Sequence, residues 1–297
     1  MRNTAAKKVF EYCKKNENGF LISGDAGFGV WEDFQTQMPK QYINTGINEA
    51  AMTGLASGLA LSGHKVFIYN IIPFLIMRNY EQVRVEIAYQ NLPVVFIGIG
   101  SGITYAPAGM THYSIEDIGL AKSMPNMNII SPSDPVQVQK AMDFAIKSKN
   151  PTFIRISRSG EPKVFEDDVD ITKPLHVKEG IDKAIIFHGS IVDEVLKAAE
   201  SLEDVAIISM PLISPFDEKE AENILKKYNK IYVVEEHFEE GGLGTVLSDF
   251  AMVKKINADI NKIAIKNHYI HEIGNCDYLR KQLGIDSEAI VKKVKNG

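Results

Sequence analysis

Two hydrophobic rhythms alternate along the chain. Compact apolar runs bounded by Gly, Pro or charged residues read as buried strands: GFLIS, KVFIYNI, LPVVFIGIG, NMNIISP, PTFIRIS, KAIIFHGS, VAIISM, KIYVVEEH and KIAIKNHYI, with a shorter one in QYINTGI. Between them lie segments whose apolar positions recur at helical spacing. The first runs from Thr4 to Lys15. NEAAMTGLASGLALSG follows, closed by Gly63, and then RNYEQVRVEIAYQ, SIEDIGLAKSM and DPVQVQKAMDFAIKSK. IVDEVLKAAESL, EKEAENILKKY, GGLGTVLSDFAMV and DSEAIVKKVK continue the series. Strand and helix alternating in this way predict an α/β fold, with mostly parallel sheets flanked by helices.

Near residue 160 the texture changes. The stretch SGEPKVFEDDVDITKPLHVKEG is polar, charged and interrupted by prolines. It divides the chain into a first domain over 1–160, a linker over 161–180 and a second domain over 181–297. One predicted helix stands apart because its residues are mostly small: Ala50, Ala51, Gly54, Ala56, Ser57, Gly58 and Ala60. Glycine inside a helix costs roughly 1 kcal/mol relative to alanine, which is tolerable where another backbone must come close.

Composition narrows the function. The chain has 297 residues, a formal net charge of −5 and 45% apolar residues, enough for two cores. No basic block suits a nucleic-acid backbone. No apolar run reaches the ~18 residues of a membrane span, and the lysine-containing start does not read as a signal peptide. Cys13 and Cys276 are far apart and form no CxxC motif, so neither a zinc site nor a disulfide framework is expected. A reducing, cytoplasmic setting fits.

Several blocks then point the same way. GINEAAMTGLASGLALSG, GMTHYSIEDIGLAKSMPNMNIISPSD and PTFIRISRSGEP resemble the pyrimidine-binding domain of transketolases and of 1-deoxy-D-xylulose-5-phosphate synthases. VVEEHFEEGGLGTVLSD and LGIDSEAIVKKV resemble their C-terminal domain, and the blocks occur in the family's order. The family's diphosphate-binding domain has no counterpart, since Gly24-Asp25-Ala26 is the one near match to its Gly-Asp-Gly signature and lies in the wrong place. The resemblance therefore implies the C-terminal half of a split transketolase. It implies thiamin diphosphate as cofactor, with Mg2+ (or Ca2+) and the diphosphate held by a separate N-terminal subunit. It also implies a self-dimer and a sugar phosphate substrate.

The resemblance assigns roles residue by residue. Glu49 would hydrogen-bond a ring nitrogen of the cofactor's aminopyrimidine. Phe74 would pack against that ring; an alignment shifted by one would put Leu75 or Ile72 there instead. His112 would lie beside the substrate, a place suited to imidazole because it exchanges protons near neutral pH. Arg158 and Arg78 would hold substrate anions, where a guanidinium fork bonds two oxygens at once. Asp25 matches an aspartate near the thiazolium side, and a plain turn aspartate is an equal reading. The Gly241–Gly244 cluster lacks the spacing of a nucleotide loop, and the C-terminal domain is expected to carry no catalytic residue.

The sequence also departs from the family. Ala108 replaces an aspartate that reads a donor-sugar hydroxyl, Gly100 stands where many members have a substrate histidine, and Tyr113 replaces a glutamine. Losing such polar groups removes selection for the hydroxyls they bind. The sugar is thus expected to be modified, shorter or deoxy. Two other readings stay open: the β subunit of a 2-oxo-acid dehydrogenase, and a non-catalytic regulatory subunit of the same fold.

Overall fold

A computed structural model describes residues 1–157 and 160–297. The first six apolar runs become β1 (Gly19–Ser23), β2 (Tyr42–Asn44), β3 (Lys65–Ile71), β4 (Val95–Ile99), β5 (Asn128–Ile130) and β6 (Thr152–Ile156). Then come β7 (Leu175–Lys178), β8 (Lys183–Phe187), β9 (Val205–Ser209), β10 (Leu212–Ser214), β11 (Lys230–Phe238) and β12 (Asp259–Ile265). They form a seven-stranded sheet ordered β10-β5-β6-β4-β3-β1-β2 and a five-stranded sheet ordered β12-β11-β8-β9-β7. Strands β4 and β6 are buried along their whole length. Helices cover both of their faces, so continuous apolar runs rather than alternating ones fit there.

Two strands were not visible as such in the sequence. Leu175–Lys178, inside the stretch read as a linker, pairs antiparallel with β9 at a sheet edge. Leu212–Ser214 leaves the second half of the chain and pairs antiparallel with β5, closing the edge of the first sheet. Both are too short to show a period, and their pairing is set by the edge they cover. The two halves also share an apolar interior, in which Ile22, Met52 and Ile118 join one buried cluster with Ile186, Val233 and Leu243.

The small-residue segment forms the helix Glu49–Leu61, and the Asn48 side chain accepts a hydrogen bond from the Ala51 amide at 3.2 Å to start it. The next predicted helix is irregular. Pro73–Met77 and Val83–Ala88 are wide π-helical turns on either side of Tyr80–Gln82. Their bonds span five residues, as in Arg78 N–H to Pro73 O at 3.0 Å and Tyr89 N–H to Arg84 O at 2.8 Å. Such turns change which side chains stand above one another, and they recur at functional sites. No helix among the described residues is long and apolar enough to cross a membrane.

Candidate active site

All parallel strands of the first sheet end at the same edge. β1 lies between β2 and β3, so the chain leaves β1 toward one side of the sheet and continues from β3 toward the other. Connections diverge there and leave a crevice at the carboxyl ends of the strands. Asp25 follows β1, Glu49 follows β2, Phe74 and Arg78 follow β3, and His112 follows β4.

Glu49 opens its helix, where the helix dipole favours a carboxylate. Its backbone carbonyl accepts from Asn79 Nδ2 at 3.3 Å and from Thr53 Oγ1 at 3.1 Å. The side chain is only 5% exposed. Both carboxylate oxygens accept from Arg78 Nη1, at 3.2 and 3.3 Å. The Arg78 guanidinium lies over the Phe74 ring, 4.4 Å from its centroid, in a cation–π arrangement. Phe74 then meets the His112 ring edge-on at 5.4 Å between centroids. His112 Nδ1 lies 2.8 Å from Thr111 Oγ1, and the His112 ring is 6.2 Å from that of Tyr105.

Four residues named from the sequence, Glu49, Arg78, Phe74 and His112, thus touch in series. Phe74 is the aromatic at the crevice, because Ile72 and Leu75 are wholly buried in the core. Arg78, named from the sequence as a candidate for a substrate anion, bonds the Glu49 carboxylate. Arg158 lies outside the described residues. Its neighbour Arg155 is fully buried in an ion pair with Asp117, away from the crevice.

Asp25 is exposed, in a left-handed turn at φ 52°, and its amide donates to Asn44 Oδ1 at 3.1 Å. It lines a cavity of about 390 Å³ shared with Arg2, Phe28, Tyr69 and Tyr105. Arg2 and Tyr105 were not singled out from the sequence. Arg2 reads there as one more cation at the start of a surface helix. In the fold its Nε is buried without a partner. Burial pushes the Tyr69 phenol well above its usual pKa, against the opposing pull of the Arg2 charge.

The glycine cluster of the second half has a plain role. Leu243 N–H and Gly244 N–H donate to the Glu235 carboxylate at 2.8 and 2.9 Å. A Cβ at Gly242 would stand 2.3 Å from Glu235 Oε2. The turn therefore holds the protein's own carboxylate at a helix N-terminus. Among the described residues no group of three or more His, Cys, Asp or Glu side chains is placed to hold a metal ion.

Comparison with known proteins adds three findings. Residues 1–162 match the transketolase pyrimidine binding domain, and residues 173–290 match the transketolase C-terminal domain. An apulose-4-phosphate transketolase subunit from Actinobacillus succinogenes is 33% identical over 264 residues, covering 87% of this chain and 85% of that protein. A 6-deoxy-6-sulfo-D-fructose transketolase subunit from a Clostridium species is 28% identical, covering 98% of this chain and 92% of its own. Among solved structures, one described as a split gene transketolase, inactive beta4 tetramer, superposes with a TM-score of 0.88 at 25% identity. That superposition covers 99% of this chain and 96% of the other.

Proposed function

We propose, since the chain belongs to the transketolase family, that it is one subunit of a split transketolase and furnishes the aminopyrimidine side of a thiamin diphosphate site. The observation that carries this reading is the nearly buried Glu49 carboxylate at a helix start, with the Phe74 ring on the far side of the Arg78 guanidinium that it holds. A carboxylate and an aromatic face are the donor set that an aminopyrimidine needs, so the residues present fit that half of the cofactor. The bound cofactor would supply the carbon nucleophile for moving a two-carbon ketol unit from a ketose to an aldose.

In this reading Glu49 fixes the proton at a ring nitrogen, and Phe74 packs on the ring. Arg78 neutralises Glu49 until the cofactor takes its place as partner. His112 exchanges protons with substrate hydroxyls. Arg2, with Asp25 at the cavity mouth, and Arg158 receive the anionic end of a sugar phosphate. Thiamin diphosphate and Mg2+ (or Ca2+) would meet the chain on a diphosphate-binding partner subunit, with a dimer of this chain between two partners. Two relatives named for unusual sugars, together with Ala108 and Gly100, support a donor outside the standard pentose phosphates.

The test is reconstitution. The chain is mixed with its diphosphate-binding subunit and titrated with thiamin diphosphate and magnesium by calorimetry, then assayed for ketol transfer. Cofactor binding and turnover are expected in the mixture and neither in the chain alone. A mixture that binds no cofactor, or one that stays fully active with Glu49→Ala, sinks the reading.

A further inference from the structure

Tyr105 stands where it does because of a missing side chain. Gly100 follows β4 at φ +89°, and a Cβ there would lie 2.3 Å from both Cδ2 and Cε2 of Tyr105. The phenol ring therefore rests on bare backbone in a conformation that favours glycine. The loop that carries it is tied down along its length. Gly100 N–H and Ser101 N–H donate to Ile156 O at 2.9 and 3.1 Å. Gly102 and Ser114 exchange backbone bonds at 3.1 and 2.9 Å, and the Tyr113 hydroxyl donates to Ala106 O at 2.8 Å. Ile103 N–H reaches Glu236 of the second half at 3.4 Å. A side chain on such a pinned loop is positioned before any ligand arrives.

Its position is also distinctive. Tyr105 lines the cavity that holds Asp25 and Arg2, and its ring is 6.2 Å from that of His112 in the Glu49 series. It is the wall shared by the cavity and the catalytic cluster. Around it the cavity is lined by Ile71, Ile99 and Tyr69, so apolar and aromatic side chains flank it on that side.

We propose that Tyr105, seated on Gly100, is a specificity-determining residue that contacts the sugar chain beyond the reacting carbons and favours a ketose phosphate poor in hydroxyls there. The inference rests on the ketol-transfer reading above. A hydroxyl turned against an aromatic face loses its water without gaining a partner, while a deoxy or branched carbon packs there without that loss.

The experiment uses the assembly with the diphosphate-binding subunit and measures kcat and KM for D-xylulose 5-phosphate, D-fructose 6-phosphate and 4-deoxy-D-fructose 6-phosphate. The wild-type assembly is expected to prefer the deoxy donor over its hydroxylated counterpart. Tyr105→Ala should shrink that preference by about tenfold or more, the range one lost apolar contact can produce. Gly100→Ala should shrink it too, and should add little further loss of preference in the Tyr105→Ala background, where there is no ring for the new Cβ to displace. Thiamin diphosphate binding is measured by calorimetry for each assembly, and kcat and KM are compared at saturating cofactor, so that a change of preference is read apart from any change in cofactor affinity. The proposal is overturned if Tyr105→Ala scales all three donors by one factor, or if the wild type shows no preference for the deoxy donor. Failure of the wild-type assembly to bind cofactor would instead remove the ketol-transfer reading and this one with it.

Discussion

Replacing Glu49 by glutamine separates two demands on one carboxylate. Its ionic partner Arg78 is half exposed, and such pairs contribute below about 1 kcal/mol. The melting temperature should therefore move by about 4 °C or less in a chain of this size. Ketol transfer by the assembled enzyme should fall by about a hundredfold or more, the usual weight of a positioned proton-transfer group. A large melting shift with activity retained would make Glu49 a structural residue. Much of this site was legible before the fold was known, because Glu49 and His112 sit in distinctive motifs. Arg78 shows the limit. Its motif named a guanidinium near the substrate, and only the π-helical turns reveal that it faces Glu49. Arg2 and Tyr105 carry no motif at all. One looks like any helix-start cation, and the other owes its place to a glycine five residues away. The room left where the resemblance placed a histidine is taken from position 105.

The elements were readable where apolar runs were long, and unreadable where a neighbour decides the structure. β10 is three residues long and exists because β5 has an open edge. The turn from β7 into β8 is a second case. A Cβ on Gly180 would lie 2.1 Å from Ala206 N and 2.6 Å from Val205 C. Both are backbone atoms at the start of β9 and cannot step aside as a side chain would. Gly180→Ala should cost about 2–3 kcal/mol, at the upper end of ordinary point mutations, read as a lower urea midpoint at unchanged slope. Gly58 is the control. A Cβ there meets nothing within 4 Å, so Gly58→Ala should stabilise the isolated chain by a few tenths to about 1 kcal/mol. Equal effects of the two substitutions would contradict the close approach.

At the scale of the molecule, the two halves are joined by buried charge as well as apolar surface. Arg155 Nε donates to Asp117 at 2.7 Å, and Nη2 donates to the carbonyls of Ser114 and Glu236 at 2.7 and 2.8 Å. Across the same seam His188 Nδ1 lies 2.9 Å from Ser131 Oγ, and Ile103 N–H donates to the Glu236 carboxylate at 3.4 Å. Deleting one member of a fully buried pair strands the other, so Arg155→Met should destabilise by about 3–5 kcal/mol and should be read by thermal melting. The sequence showed these residues, but nothing in their spacing said that they meet across the two halves.

The same seam makes stability depend on pH in a direction that can be worked out. His237 is fully buried. Burial lowers its pKa, the nearby Arg155 charge adds to this, and Glu235 and Asp117 offset it only in part. The folded protein therefore resists a proton that the unfolded chain accepts below about pH 6.5. Stability must fall as pH drops from neutral through that value. Glu235 acts lower on the scale. Burial pushes its pKa up, but the His188 hydrogen bond and charge, together with the nearby His237 and the Gly244 amide, outweigh it, leaving the folded value below normal. Its contribution is present above the unfolded carboxyl pKa of about 4.3 and is lost as pH falls through the lower folded value. The loss of melting temperature between pH 7 and 5 is thus assigned to His237. His237→Asn should flatten that part of the curve and leave the acid limb in place. If wild type and variant lose the same number of degrees between pH 7 and 5, the buried imidazole is not the source of the slope.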